Sequence, residues 1–160
     1  MSRHERACPE CGCLLTKARS LQDHRRFFSI IQKAYENWNH EHPFQPSSAE
    51  HLRAYLLVES NYADPTPIFV ELELLPEDAR PAALKLVSLA VEATITAAHS
   101  KGDYAFARVV GDTITVFRPR SLAFSQLDQK AFGPLREAVE AVIEHALGCK
   151  VDQLLRSEAA

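Results

Sequence analysis

Tyr104-Ala105-Phe106-Ala107-Arg108-Val109-Val110, then Gly111-Asp112, then Thr113-Ile114-Thr115-Val116-Phe117-Arg118: two runs of β-branched and aromatic residues stand on either side of a glycine-bearing dipeptide. A two-residue loop of this kind joins antiparallel strands, because its left-handed backbone matches the twist of the flanking pair. The expected strands are about 104–110 and 113–118. A third is expected over Ile68 to Leu74, where Val70, Leu72 and Leu74 alternate with Glu71 and Glu73 in the period of a half-buried strand.

The remaining patterned segments have a helical period. Ser20 resembles an N-cap, with Asp23 three residues on, before an amphipathic helix over about 21–39. On its wheel Leu21, Phe27, Phe28, Ile31, Ala34, Tyr35 and Trp38 share one arc, opposite Arg25, Arg26, Ser29, Gln32, Lys33 and Glu36. His40 to Ser47, with Pro43 and Pro46, reads as a loop, and a second helix runs from Ser48 to about Asn61 until Asp64-Pro65-Thr66-Pro67 breaks it. The most apolar helix spans Pro81 to His99, its polar residues Lys85, Ser88, Glu92, Thr96 and His99 gathered in one stripe. Such a helix must be covered on most sides; it is read as the central core helix, or else as part of a dimer interface. The last long helix runs from Asp128 to Leu147, with Phe132, Leu135, Val139, Val142, Ile143 and Ala146 inward and Glu137, Glu140 and Glu144 outward. Gly148 is its C-terminal cap, and a short helical tail to Arg156 follows.

The fold class expected is therefore α+β: a small antiparallel sheet of about three strands packed by three or four helices, with an irregular cysteine-bearing N-terminus. At 160 residues, residues 20–156 are read as one domain, long enough to bury roughly two-thirds of its unfolded surface. The formal charge of −3 argues against wholesale coating of nucleic acid. Charge is uneven, however: residues 1–26 hold six cations and three acids, +3, which leaves −6 for the rest. No unbroken apolar run reaches the ~18 residues of a membrane span, and no signal-peptide core is visible, so a cytoplasmic protein is expected.

Cys8-Pro9-Glu10-Cys11-Gly12-Cys13 resembles one zinc knuckle, since a C-x-x-C turn sets two thiolates on a shared ion. Further donors would come from Cys13, His4, Cys149 or the His40/His42 pair, and there is no second C-x-x-C. Residues 1–19 thus read as a structural zinc knuckle, with Cys8, Cys11, Cys13 and Cys149 as its donors, or as a tail of reduced thiols. His24 lies on the apolar arc of the first helix, where a core histidine is the commoner outcome. No nucleophile elbow, phosphate loop, H-E-x-x-H or paired-carboxylate spacing appears, so no enzymatic activity is expected. Arg19, Arg25, Arg26 and Lys33 form a candidate phosphate-contact set, which Arg118 and Arg120 extend if the extended backbone around Pro119 aims them to one side.

Two short segments carry a resemblance. Arg19-Ser20-Leu21-Gln22-Asp23-His24-Arg25-Arg26-Phe27-Phe28 is similar to the opening helix of the phage NinB/Orf recombination-mediator family and of a related phage family of unknown function. Pro119-Arg120-Ser121-Leu122-Ala123-Phe124, Leu127-Asp128 and Phe132 resemble the second signature of that uncharacterised family. The likeness covers about 19–147 and departs at the cysteine-bearing start, where those proteins begin with a strand. It implies an accessory protein of phage or prophage recombination in a bacterial host cell. Such a protein binds single-stranded DNA, the host single-stranded DNA-binding protein, or both, often as a homodimer. The alternative is a phage-encoded inhibitor of a host complex such as a defence system, docking through Glu71, Glu73, Glu137, Glu140 and Glu144.

Overall fold

A computed structural model describes residues 21–99, 104–111, 113–123 and 127–156. Among these, the elements follow in the order α1 (Leu21–Glu36), α2 (Ala49–Glu59), β1 (Ala63–Ile68), α3 (Arg80–His99), β2 (Phe106–Val110), β3 (Thr113–Pro119), α4 (Gln129–Leu147) and α5 (Val151–Arg156). The fold is α+β, with one antiparallel sheet in the order β1-β3-β2. The expected cap at Ser20 lies outside the described residues. By its internal packing the chain falls into two compact units, residues 1–45 with 121–160, and residues 46–120.

The first unit is helical. α1 packs against α4 and α5, and its inward face carries Phe27, Ile30, Ile31 and Ala34, all buried. Phe27 meets Phe132 of α4 edge to face at 5.4 Å between ring centres, the arrangement that places the positive ring edge on the negative face. Leu21, assigned by its wheel position to the core arc, is exposed instead. After α1, Trp38 stays buried and its indole N–H donates to the Phe44 carbonyl at 2.9 Å. α4 begins at an Asp128 cap whose carboxylate accepts from the Ala131 N–H at 2.8 Å. It ends at Gly148, whose φ of 67° is a left-handed conformation open to glycine at no steric cost.

The second unit is built on the sheet. Gly111, at φ 61°, turns β2 into β3 as the hairpin reading expects. The third strand does not fall where the alternation suggested. β1 is Ala63–Ile68, containing Pro65 and Pro67, and it pairs with β3 from Ala63 opposite Pro119 to Ile68 opposite Ile114. Prolines two apart on a strand lack their N–H on the same side, which an edge strand can turn away from its neighbour. Residues 69–75 follow outside any strand. Leu72 is drawn into a cluster with Leu84 of α3 and Ile114 of β3, and Val87 and Val91 pack around it.

α3 is not the central core helix that its composition suggested. Only its Leu84 face is seated, while Leu86 and Leu89 are 68% and 52% exposed. By length and composition the window Arg80–Ala98 also reaches what a membrane-crossing helix needs, which a search for unbroken apolar runs passes over because Lys85 and Glu92 interrupt it. It is the one such helix among the described residues.

Candidate functional site

Arg25, Arg26 and Lys33 project from α1 in the first unit, and Arg118 and Arg120 lie at the end of β3 in the second; Arg19 falls outside the described residues. Three of these cations have carboxylate partners inside the chain. Arg26 pairs with Asp152 at 2.9 Å, Lys33 with Glu36 at 3.2 Å, and Arg120 with Asp64 at 2.7 Å while its guanidinium lies over the Tyr62 ring. Surface pairs of this kind are worth no more than about 1 kcal/mol each, yet they neutralise the charge that phosphate contact uses. Arg25 is exposed and has no ion pair among the described residues.

Below Arg26, a second polar cluster fills the space between α1 and α4. Asp23 accepts a hydrogen bond from Gln129 at 2.9 Å and lies 3.7 Å from Arg136, which approaches Glu140 at 3.5 Å. With Gln22 and Arg26 these residues line a cavity of about 370 Å³. Burial pushes the Glu140 carboxyl above its ordinary range, against the pull of Arg136. Glu140 and Glu144, assigned by the wheel to the solvent face, are in fact half-buried, and only Glu137 of the three is exposed. The cause is visible at Glu144, which accepts from Lys150 at 2.7 Å and from the Val151 N–H at 3.1 Å, tying the end of α4 to the start of α5. These bonds hold its carboxyl below the usual value. A carboxyl depressed in the folded state adds stability above its unfolded pKa, and that stability is lost as pH falls through the folded value. Melting temperature is therefore expected to fall on acidification below pH 4.5, the ordinary glutamate value, and to fall less steeply in Glu144→Gln; parallel curves would contradict this.

The expected zinc donors Cys8, Cys11 and Cys13 lie outside the described residues. Cys149 is half-buried between α4 and α5, and no cluster of three or more histidine, cysteine or acidic side chains occurs among the described residues. His24 is half-buried rather than in the core, its ring 4.7 Å from that of Phe28. His42 rests edge-on against Trp38, and its Nδ1 accepts from the Phe44 N–H at 3.1 Å.

His51 forms a cluster that spacing alone does not reveal. Its ring stacks on Tyr104 at 4.9 Å and lies 5.7 Å from Phe106, and Nδ1 accepts the Ser47 N–H at 3.2 Å. The Ser47 hydroxyl is 3.1 Å from the same nitrogen. That contact has the outline of a serine–histidine pair, but Nδ1 is already taken by the Ser47 amide. Ser48 caps α2 by accepting the His51 N–H at 3.1 Å. The arrangement is that of a helix N-terminus locked to the hairpin.

What sequence reading missed in the apolar surface of the 46–120 unit is the stretch around Phe69 and Leu74; for the α3 helix a dimer interface was one of the two readings. Phe69 and Leu74 are 81% and 85% exposed, and Leu75, Leu86, Leu89, Val109 and Val110 are exposed with them. Glu71, Glu73 and Glu77 are interleaved and also exposed. Beside this stretch lies a cavity of about 650 Å³ lined by Val70, Leu72, Glu73, Glu77, Arg80 and Leu84. Several large apolar side chains standing open on one unit mark an interaction surface more often than single scattered ones do. The strand-like alternation of 69–74 hid this, because it assigned Leu74 to a buried face.

No protein-family model matches the chain, and neither a curated protein nor a solved structure matches it.

Proposed function

We propose that the chain acts by binding rather than by catalysis, and that its 46–120 unit recognises another protein through the stretch from Phe69 to Glu77. The observation that carries this reading is the exposure of Phe69 and Leu74 among Glu71, Glu73 and Glu77. Burying two such side chains supplies about 3–6 kcal/mol of apolar transfer energy, while an acidic rim selects partners by charge. The partner this chemistry fits is a protein surface with an apolar centre and a rim of lysine and arginine. A phage-encoded inhibitor docking on a host complex in the bacterial cytoplasm is the biological form of this reading.

The test is capture of a partner from bacterial lysate by the purified chain, followed by stoichiometric binding of that partner in pure form. Phe69→Ser with Leu74→Ser is expected to weaken the reconstituted complex at least tenfold, in line with loss of central apolar anchors. Unchanged binding by the double variant would refute the reading.

One observation favours a second reading, the recombination accessory role with single-stranded DNA or its host binding protein as partner. Arg25 stands exposed without an ion pair among the described residues, next to Arg26. Anisotropy titrations against single-stranded and duplex oligonucleotides at two salt concentrations test it. DNA contact through these arginines requires affinity that falls steeply with salt and drops in Arg25→Glu with Arg26→Glu.

A further inference from the structure

α3 has three faces of different character. Leu84, Val87 and Val91 face the sheet-side cluster; Lys85 and Glu92 are exposed on a polar flank; and Ala82, Leu86, Leu89 and Ala93 form an outer stripe. The stripe residues are separated by four, three and four positions, the spacing of a seam that pairs with another helix. Leu86 and Leu89 at its centre are the exposed large side chains of the helix.

We infer that this stripe takes a second copy of the same helix, in antiparallel orientation, so that the protein is a homodimer about a two-fold axis near Leu86 and Leu89. The inference rests on the reading of the 46–120 unit as an interaction surface, and it assigns one face of that unit to self-association. The charges select both the occupant and the direction. When Leu86 of one copy lies opposite Leu89 of the other, Ala82 lies opposite Ala93, and Lys85, opposite Ala90, is two positions from Glu92 along the same flank of the second copy. The two-fold repeats the pair, so both cations and both acids are matched. A parallel pair in register would instead set Lys85 opposite Lys85 and Glu92 opposite Glu92, with the nearest unlike charge seven positions away. Neither Lys85 nor Glu92 is held in an ion pair among the described residues, which leaves both available.

The size of the stripe sets the strength. A 20-residue helix is roughly 30 Å long and 10 Å wide, so one side offers on the order of 300 Å², less than half of the ~800 Å² that each partner contributes to a standard interface. A reversible dimer in the micromolar range is expected rather than an obligate one. Leucine layers at the centre and alanine layers outside them allow the two helices to approach closely.

Light scattering on eluting protein over roughly 1 to 100 µM tests this. Wild-type protein is expected to move from the 17.9 kDa monomer to twice that mass. Leu86→Glu with Leu89→Glu is expected to remain monomeric. Lys85→Glu and Glu92→Lys singly are expected to weaken the dimer about tenfold, since each places like charges together twice, and the double swap is expected to restore it. All four positions are at the surface, and circular dichroism on the same samples verifies the fold. A wild-type monomer at every concentration overturns the inference, as does a dimer indifferent to the leucine variant or a double swap that fails to rescue. A monomer that still binds a partner through Phe69 and Leu74 overturns the dimer alone and leaves the proposed function standing, whereas a dimer whose partner binding ignores Phe69 and Leu74 does the reverse.

Discussion

Phe132→Ala is expected to lower the unfolding free energy by about 3–5 kcal/mol, the largest effect of any single truncation in the helical unit. Phe132 is fully buried on α4 and closes edge to face on Phe27 of α1. Removing the ring forfeits its transfer energy and opens a void between helices anchored through Asp23, Gln129 and Arg136. Those polar links do not compensate, because exposed and half-exposed pairs contribute about 1 kcal/mol or less. Since a domain of this size has on the order of 5–15 kcal/mol in total, urea unfolding should show a large drop in midpoint. A loss below about 1 kcal/mol would mean that α1 and α4 do not pack through these rings.

Ile114→Ala is expected to cost about 2–5 kcal/mol, and Leu86→Ala almost nothing under dilute conditions. Ile114 is fully buried near the start of β3, the middle strand of the sheet, against Leu72 and Leu84, so its truncation removes the contact that seats α3. Leu86 is on the same helix but on the outer stripe, where an apolar side chain already meets water, and its removal should lie within about 0.5 kcal/mol of neutral. The contrast between two aliphatic truncations on one unit, read by urea unfolding at low protein concentration, is diagnostic. Equal losses would place α3 in the core after all; equal and negligible effects would mean that α3 is not packed on the sheet.

The contrast between Ile114 and Leu86 also marks how far the sequence reaches. The hairpin was legible because Gly111 supplies a left-handed backbone between two β-branched runs, and α4 was legible because its apolar period runs uninterrupted from Phe132 to Ile143 between Asp128 and Gly148. Local chemistry settles both. β1 was misplaced for an equally local reason: Pro65 and Pro67 read as a break, and only the strand order, which puts β1 at an edge, makes them harmless. The alternation over 69–74 then drew the strand onto a segment whose Leu74 is exposed. For α3, the period shows which faces are apolar but not how many of them the fold covers.

The ion pairs of the candidate basic residues are less legible than the fold, because two of the partners lie far off in sequence. Asp152 is 126 positions from the Arg26 it neutralises, and Asp64 is 56 from Arg120. Nothing in the spacing of Arg25, Arg26 and Lys33 on a helix announces these pairs. Glu144 shows the same limit, since a wheel places it outward while the backbone N–H of Val151, beyond the Gly148 turn, claims its carboxylate.

The most direct measurement compares two double variants against the same reconstituted protein partner by calorimetric titration: Phe69→Ser with Leu74→Ser, and Arg25→Glu with Arg26→Glu. Recognition through the acidic-rimmed apolar stretch predicts that the first loses at least tenfold in affinity and the second stays within about twofold of wild type, as expected for residues outside the contact. The opposite pattern, binding kept by the apolar variant and lost by the arginine variant, would contradict the account and return the function to the α1 surface.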